Sequence, residues 1–348
     1  MLQLDSARDL RSTPPAELSK QQVLQLRKLL DASSRTFALT IPVLPEGLQG
    51  SVELAYLLLR AADAIEDATH LPLAKRLQLL RLLQQVLLGT GDAPFLVTEC
   101  EHFAQGLPAG GERSVLMQLD LLLLALDLQS PAAAEAIRSH CERVVHRMAY
   151  WLTVGTKDGK LKLRDFGELS DYMYSVAGIV GELLTHLFTL QSSSSPHLPL
   201  MARSADFGAG LQLTNIIKDS AEDAKQDRQF LPDQWVFVGC PDGVDRLEAL
   251  IDIARLRLRA ATNYTSLLSL DEPGVRLFCF IPIVLALATL AALAERSDEA
   301  IAGASVKVDR AAVPGLLLRA KEAVASNDAL EALHEELDRA IDTAWGTP

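Results

Sequence analysis

The spacing of apolar residues constrains the fold of this 348-residue chain more than any other feature. Leucine and alanine dominate, and apolar side chains recur at intervals of three and four residues along most of the chain. This spacing predicts amphipathic helices, and the alternating β-branched runs that indicate half-buried strands are absent. The hydrophobic share of 49% is too high for a disordered protein. The sequence therefore predicts an all-α fold.

The helical spacing can be divided into ten predicted helices. The first is marked by Val23, Leu26, Leu29 and Leu30. The others are predicted over residues 52–68, 73–88, 114–128, 132–153, 166–189, 200–224, 245–269, 275–296 and 327–343. Short segments rich in Gly, Pro and Asp separate them. We interpret the serine run 192–195 and the basic segment 155–164 as surface loops rather than linkers, so residues 1–348 are expected to form one domain.

Charge and cysteine content exclude several classes of protein. The net charge of −12 argues against a nucleic-acid partner, which would require clustered Lys and Arg. The four cysteines lie far apart, which predicts free thiols in a reducing compartment rather than a zinc site. The first ten residues lack the apolar stretch of a signal peptide, and the last sixteen are charged and do not form a tail anchor. We therefore expect a cytoplasmic protein whose membrane contact, if any, is peripheral.

One uncharged stretch, residues 277–294, has a length at the threshold for a membrane-spanning helix. Pro282 and several small residues in it also fit a buried helix of a large bundle. We favour the buried helix because no second segment pairs with it as a span.

Two acidic clusters share the spacing D-x-x-E-D within segments predicted to be helical. They consist of Asp63, Glu66 and Asp67, and of Asp219, Glu222 and Asp223. The aspartates of each cluster lie four residues apart and so share one helix face, where like charges repel. Each cluster follows an apolar stretch, so a solvated helix end is a weaker interpretation than a bound divalent cation. Mg²⁺ prefers carboxylate, water and phosphate oxygens, and no EF-hand pattern for Ca²⁺ is present.

Cations lie beside both clusters. Arg60 is near the first, and Lys218 and Arg228 are near the second. Paired acidic clusters with flanking cations suit a diphosphate held through Mg²⁺. The apolar helical interior suits a long hydrocarbon attached to that diphosphate. The two features together predict a substrate that carries a diphosphate on a long hydrocarbon.

Five segments in combination resemble the squalene and phytoene synthase family of head-to-head prenyl synthases. They are SRTF at 34–37, YLLLRAADAIED at 56–67, YMYSVAGIVG at 172–181, QLTNIIKDSAED at 212–223 and RQFLP at 228–232. The resemblance covers about residues 33–310 and leaves 311–348 as a C-terminal helical extension. Two later segments, FCFIP at 278–282 and GASVKV at 303–308, resemble the squalene synthase branch of this family.

The resemblance implies a single helical bundle of the isoprenoid synthase type with a central apolar cavity. It also implies that two farnesyl diphosphates join to give presqualene diphosphate, which NADPH then reduces to squalene in a monomer or weak dimer. Alternatives within the family end at presqualene diphosphate or make dehydrosqualene or phytoene. A terpene cyclase or head-to-tail prenyltransferase also has Asp-rich helices, but the segments at 172–178 and 228–232 are not expected in it. A catalytically inactive binding module would not need both clusters intact.

The resemblance assigns roles to named residues. Mg²⁺, with Mn²⁺ as a substitute, is implied to bind at Asp63, Glu66, Asp67, Asn215, Asp219, Glu222 and Asp223. The cations implied to neutralise the departing diphosphate are Arg35, Arg60, Lys218 and Arg228. Tyr172 is implied to relay the proton lost on ring closure, although a core tyrosine is the alternative. Further substrate contacts are implied at Phe37, Tyr56, Val176, Ala177, Gln212, Phe278 and Phe280, and NADPH phosphates at Lys307 and Arg310. Ordinary core packing is the alternative for the three phenylalanines.

The chain also departs from the family pattern. Lys218 stands where the family usually has Arg, which keeps the charge but loses the bidentate fork. Met173 replaces the usual Cys, and Ile283 stands where squalene synthases usually have Gln. The change at Ile283 bears on the second, reductive step. The segment 155–164 also differs from the family and is a candidate cover for the cavity.

Overall fold

Helices make up nearly all the secondary structure in the computed structural model, which describes residues 17–34, 36–157, 160–192 and 195–346. The predicted all-α class is confirmed. The helices are α1 (Lys20–Ser33), α2 (Phe37–Thr40), α3 (Glu46–Glu66), α4 (Leu73–Leu87), α5 (Ala93–Ala104), α6 (Gly111–Leu116), α7 (Leu119–Asp127), α8 (Pro131–Val154), α9 (Phe166–Met173), α10 (Ile179–Gln191), α11 (His197–Lys225), α12 (Gly243–Leu267), α13 (Pro273–Glu295), α14 (Ser297–Ile301), α15 (Val313–Ala323) and α16 (Asn327–Ala344). A 3₁₀ turn, Ile41–Val43, joins α2 to α3, and a second, Asp233–Trp235, precedes α12.

The prediction of one continuous helix over residues 114–128 is wrong. The structure has two helices there, α6 and α7, which part at Gln118 (φ −125°, ψ 24°). The Gln118 side chain accepts a hydrogen bond from Gln25 of α1. Apolar spacing continues through the break, so the sequence pattern gives no sign of it. Four short helices, α2, α5, α14 and α15, were also not predicted.

A small sheet lies where we predicted only a loop. Strands β1 (Thr156–Lys157) and β2 (Lys160–Lys162) pair antiparallel, and β2 pairs parallel with β3 (Arg228–Gln229). The Leu161 amide donates to the carbonyl of Asp227 at 3.1 Å. The basic segment is therefore tied to the backbone beside Arg228. Pairing between segments more than sixty residues apart leaves no local pattern in the sequence.

Two glycines allow helix α11 to approach α10, and the segment just before α10, closely. A Cβ at Gly181 would lie 2.0 Å from the carbonyl oxygen of Ser204, and one at Gly208 would lie 2.1 Å from that of Ala177. Any larger residue at either position would force α11 away from α10 and the segment before it. These contacts bring the elements that carry residues 172–181 and 212–223 against each other.

Helix α13 contains the uncharged stretch 277–294 and contacts α11, α12, α15 and α16. Within the described ranges, Phe166–Gln191 and Pro273–Glu295 are long and apolar enough to cross a membrane, by length and composition alone. More than half of the apolar window in each is buried inside the protein. The residues after 310 add α15 and α16, which pack on α13.

Candidate active site

A cavity of about 270 Å³ lies between α3, α8, α10, α11 and α13. Its lining is mostly apolar, with side chains such as Ile41, Val52 and Leu184. Nine residues assigned to the site from the sequence line it: Phe37, Tyr56, Arg60, Asp63, Val176, Ala177, Gln212, Asn215 and Phe278. Phe280 is fully buried and does not line this cavity. Residues from five separate sequence segments therefore share one apolar space with a polar edge.

The polar edge is formed where α3 and α11 end. Arg228 donates through Nη1 to Oδ1 of Asp67 and through Nη2 to Oδ1 of Asp223, the latter at 3.1 Å. Asp67 directly follows α3, and Asp223 lies in the last turn of α11. One guanidinium thus bridges the two acidic clusters. The two aspartates that it contacts lie 156 residues apart in the sequence. Its Nε is buried and has no hydrogen-bond partner among the described residues.

The other two described cations have carboxylate partners near the same edge. Arg60 donates through Nη2 to Oε1 of Glu112 at 2.7 Å, and its Nη1 lies 3.5 Å from Oδ2 of Asp63. The Lys218 ammonium lies 3.1 Å from a carboxylate oxygen of Asp219. Sequence reasoning missed Glu112, because no local signal links it to Arg60, 52 residues away.

Lys218 also donates to Oδ1 of Asn215 at 3.2 Å. Glu222, in contrast, is exposed and pairs with Lys225 at 3.2 Å. The acidic residues of the second cluster therefore have different surroundings: Asp219 and Asp223 face cations of the site, and Glu222 lies toward solvent.

Crowding of carboxylates at this edge changes their ionisation. Burial, with the nearby charge of Asp67, raises the pKa of Asp63 to about 7. Burial also raises the pKa of Asp223 to about 6, even though Arg228 acts in the opposite direction. Burial and the two neighbouring aspartates raise the pKa of Glu66 well above its usual value. Additional positive charge at the edge would stabilise the ionised forms of all three groups.

The donors at the two clusters are carboxylate oxygens and the amide oxygen of Asn215. This set fits a hard cation such as Mg²⁺ better than a soft one, because neither thiol nor imidazole is among the assigned ligands. Across the described part of the chain, no three Asp, Glu, His or Cys side chains are already arranged around one point as a metal site. Arg228 currently bridges the aspartates that such a cation would share.

Tyr172 lies near the polar edge of the site, and only 6% of its surface is exposed. Its ring centroid is 4.9 Å from that of Phe230 and 5.9 Å from that of Trp151, and the ring planes of Tyr172 and Trp151 are nearly perpendicular, at 74°. With Glu66 and Arg228 it lines a small cavity of about 30 Å³. Burial and the nearby carboxylates raise the pKa of Tyr172 well above its usual value, so the phenol is neutral at physiological pH.

Two assigned residues are not brought to this edge by the described contacts. Lys307 and Arg310 are exposed and do not line the central cavity. The carbonyl of Lys307 accepts from Arg296 at 2.6 Å. Arg35 lies outside the described residues.

The bundle with acidic helix ends at one edge of an apolar cavity is an isoprenoid synthase type of protein. A family model described as squalene/phytoene synthase matches residues 30–312. The chain belongs to this family.

Individual relatives agree with this membership. Squalene synthase of Schizosaccharomyces pombe is 31% identical over 301 residues, covering 83% of this chain and 64% of that protein. Squalene synthase of Mycosarcoma maydis is 28% identical over 345 residues, covering 91% and 58%. The chain thus spans about three fifths of the length of these relatives. A solved structure of TcSQS with a bound ligand is 24% identical, covers 93% of this chain and 99% of that one, and superposes with a TM-score of 0.73, which supports the fold.

Proposed function

We propose that this chain is a squalene synthase that joins two farnesyl diphosphates head to head and reduces the resulting presqualene diphosphate to squalene. The observation that carries the proposal is that one edge of an apolar cavity holds both acidic clusters, bridged by Arg228. A hydrocarbon chain fits the apolar lining, and a diphosphate fits the charged edge. Family membership supports the same reaction.

Mg²⁺, or Mn²⁺ in its place, would be held by the carboxylates of the two clusters and by Asn215. When bound, the metal supplies positive charge that neutralises a departing diphosphate. We propose that carboxylate oxygens of Asp63, Asp67, Asp219 and Asp223 bind the metal directly, with Glu66 and Glu222 in supporting positions. Glu222 would need to leave Lys225 to take part.

The chain's own cations would bind the diphosphate as its bond to carbon breaks. We assign this task to Arg35, Arg60, Lys218 and Arg228. Preorganised positive charge aimed at a developing anion is generally the largest contribution to such a reaction. Arg228 already holds two carboxylates and would exchange part of that contact for phosphate oxygens.

Tyr172 would relay the proton lost when the cyclopropane ring closes. Its neutral phenol lies beside the acidic edge, in the small cavity lined by Glu66 and Arg228. A positioned phenol within reach of the released diphosphate can pass on that proton. Phe37 and Phe278, with ring centroids 6.4 Å apart, would stabilise the carbocation through their π faces in a space that excludes water.

NADPH, when bound, would supply the hydride for the second step. Lys307 and Arg310 are exposed and make no ion pair with other described residues, so they are free to bind phosphates. We also propose that residues 33–310 form the catalytic domain and 311–348 an extension. We expect the enzyme to work as a monomer or weak dimer in the cytoplasm with peripheral membrane contact, because its product is a hydrocarbon.

A second candidate is an enzyme of the same family that does not complete the reductive step and ends at presqualene diphosphate or dehydrosqualene. The observation that favours it is Ile283, which is fully buried beside the cavity-lining Pro282 and replaces the Gln usual in squalene synthases. A buried aliphatic side chain lacks the carbonyl dipole that a glutamine amide could direct at the rearranging cation.

Product analysis tests the proposal. The protein is incubated with farnesyl diphosphate and Mg²⁺, with and without NADPH, and products are identified by mass spectrometry. We expect squalene with NADPH and presqualene diphosphate or dehydrosqualene without it. If neither reaction yields squalene but presqualene diphosphate or dehydrosqualene is formed, the second candidate is favoured. Absence of any C30 product contradicts both, and phytoene from geranylgeranyl diphosphate identifies a phytoene synthase.

A further inference from the structure

The Tyr172 ring is positioned by packing rather than by a hydrogen bond. None of the described residues hydrogen-bonds its hydroxyl group, and its ring contacts Phe230 and Trp151. We propose that Trp151, anchored through Ser175, is the residue that positions Tyr172 for proton transfer. This inference rests on the proposed function, in which Tyr172 relays the ring-closing proton.

The hydroxyl of Ser175 is the anchor of the arrangement. Ser175 is fully buried. Its Oγ accepts from Nε1 of Trp151 at 3.1 Å and from Nε of Arg147 at 2.9 Å, and it donates to the carbonyl oxygen of Asp171 at 2.6 Å. A serine hydroxyl offers one donor and two acceptor sites, so all of its capacity is used.

This anchor fixes the rotation of the indole. Trp151 is 2% exposed, so its N–H has no access to water if it leaves Ser175. A buried donor without a partner is costly, which restricts the ring to one orientation. The guanidinium of Arg147, held by Ser175 and by Asp171, lies 5.7 Å from the indole centroid and covers it on one side.

Tyr172 in α9 and Ser175 in the turn that follows α9 lie on the same side of a continuous helical backbone. Tyr172 and Ser175 are three residues apart, and both contact Trp151 of α8. Ser175 lies within the π-helical turn Tyr174–Gly178, whose next two residues, Val176 and Ala177, line the central cavity. Turns of this type are frequent at functional sites. The same turn thus connects the cavity wall to the support of Tyr172.

Two substitutions remove the anchor in different ways. Trp151→Phe keeps an aromatic ring against Tyr172 but loses the N–H, and Ser175→Ala keeps the indole but loses its acceptor. Each should lower kcat for presqualene diphosphate formation about tenfold, because a small misplacement of a reacting group is costly. KM for farnesyl diphosphate should stay within about twofold, since neither residue lines the central cavity.

Trp345→Phe is the matched control. The N–H of Trp345 is also buried but makes no hydrogen bond to any described residue, so its loss removes no anchor among them. This variant should keep the wild-type kcat. In a Tyr172→Phe background, Trp151→Phe and Ser175→Ala should cause no further loss of the residual rate. An equal loss in Trp345→Phe, a further loss in the Tyr172→Phe background, or a change confined to KM would overturn the proposal.

A spectroscopic readout separates this inference from the proposed function. The chain has five tyrosines, so protein labelled with 3-fluorotyrosine gives a ¹⁹F NMR spectrum in which the Tyr172 signal is the one missing from Tyr172→Phe. We expect that signal to shift in Trp151→Phe and Ser175→Ala and to stay in place in Trp345→Phe. An unmoved signal in both variants overturns the positioning role. A moved signal in a protein that makes no presqualene diphosphate overturns the proposed function instead.

Discussion

Arg228 connects the two acidic clusters more directly than any other side chain described. Its guanidinium is 18% exposed and bonds to one aspartate from each cluster. The residue before it, Asp227, has a left-handed backbone (φ 58°), which few residues other than Gly, Asn and Asp adopt. The turn formed there and the strand pairing at Leu161 together direct Arg228 between the helix ends.

Because one guanidinium contacts two carboxylates, we predict that the Arg228→Lys enzyme is severely impaired in catalysis. A lysine carries the charge but cannot bond to Asp67 and Asp223 together through a planar fork. We expect kcat to fall about 100-fold, the loss typical for removing one preorganised donor at a developing anion. Arg203→Lys on α11 is the control, because Arg203 is exposed and, among the described residues, hydrogen-bonds only the carbonyl oxygen of Pro199. A rate within threefold of wild type for Arg228→Lys would contradict this role.

From the buried position of His334 we predict that the free energy of unfolding depends on pH, independently of catalysis. It is fully buried, with Nδ1 2.8 Å from the Thr262 hydroxyl, and burial lowers its pKa to about 4. As the pH falls from 7 to 4, the unfolded chain takes up a proton near pH 6.5, whereas the folded chain takes it up only near pH 4. The free energy of unfolding therefore drops by about 3 kcal/mol from this group.

The His334 contribution is isolated by comparing urea unfolding of the wild type and His334→Gln at pH 7 and pH 4.5. The drop in unfolding free energy should be smaller in the variant. His102→Gln, at an exposed position, should behave as the wild type does. Equal pH dependence in wild type and His334→Gln would show that the histidine is not buried in its neutral form.

Helix α13 is joined to its neighbours by a buried arginine that has no carboxylate partner in the part of the chain that the structure describes. Arg276 is fully buried and donates to carbonyl oxygens of Thr265 and Leu268 at the end of α12 and of Val324 after α15. It also donates to Oδ1 of Asn327 at 2.8 Å. Positive charge at helix C-termini is favourable. The contacts tie the C-terminal helices to the centre of the bundle.

Replacing this arginine by an apolar residue is expected to destabilise the protein strongly. Arg276→Met leaves several buried carbonyls without donors, which we expect to lower the free energy of unfolding by about 3 kcal/mol. Urea unfolding measures the change. Arg319→Met is the control, because Arg319 pairs with Glu336 on the surface and should cost less than about 1 kcal/mol. A similar loss in both variants would argue against the anchoring role.

At the level of elements, long helices could be predicted from apolar spacing and short or non-local elements could not. The break at Gln118 lies inside a continuous apolar pattern, and the contact of its side chain with Gln25 of α1 is non-local, so neither is visible in the local sequence. The sheet formed by Leu161 and Arg228 depends on segments far apart in sequence. The acidic clusters and their cations could be recognised because their spacing is local. Glu112, which pairs with Arg60, could not, because only the fold brings it there.

Across the whole molecule, the excess of negative charge is partly concentrated at one edge of the cavity. This concentration predicts that Mg²⁺ together with inorganic diphosphate stabilises the folded protein. At concentrations about 100 times the dissociation constant, binding contributes about 2.7 kcal/mol, which for a chain of this length raises Tm by about 3–4 °C. Differential scanning calorimetry measures the shift. The shift should be lost in Asp63→Asn and kept in Asp206→Asn, whose carboxylate lies near Arg257 on the outside of α11. An equal shift in both variants would place the binding elsewhere.

The central claim is that the two acidic clusters act as one site on the diphosphate. The most direct test is the steady-state rate of diphosphate release from farnesyl diphosphate in the presence of Mg²⁺. Asp63→Asn and Asp219→Asn are compared with Asp206→Asn, and helicity is checked by circular dichroism. We predict that either cluster variant loses at least about 100-fold in rate with unchanged helicity, while the control keeps the wild-type rate. A near-normal rate in either cluster variant would contradict the claim.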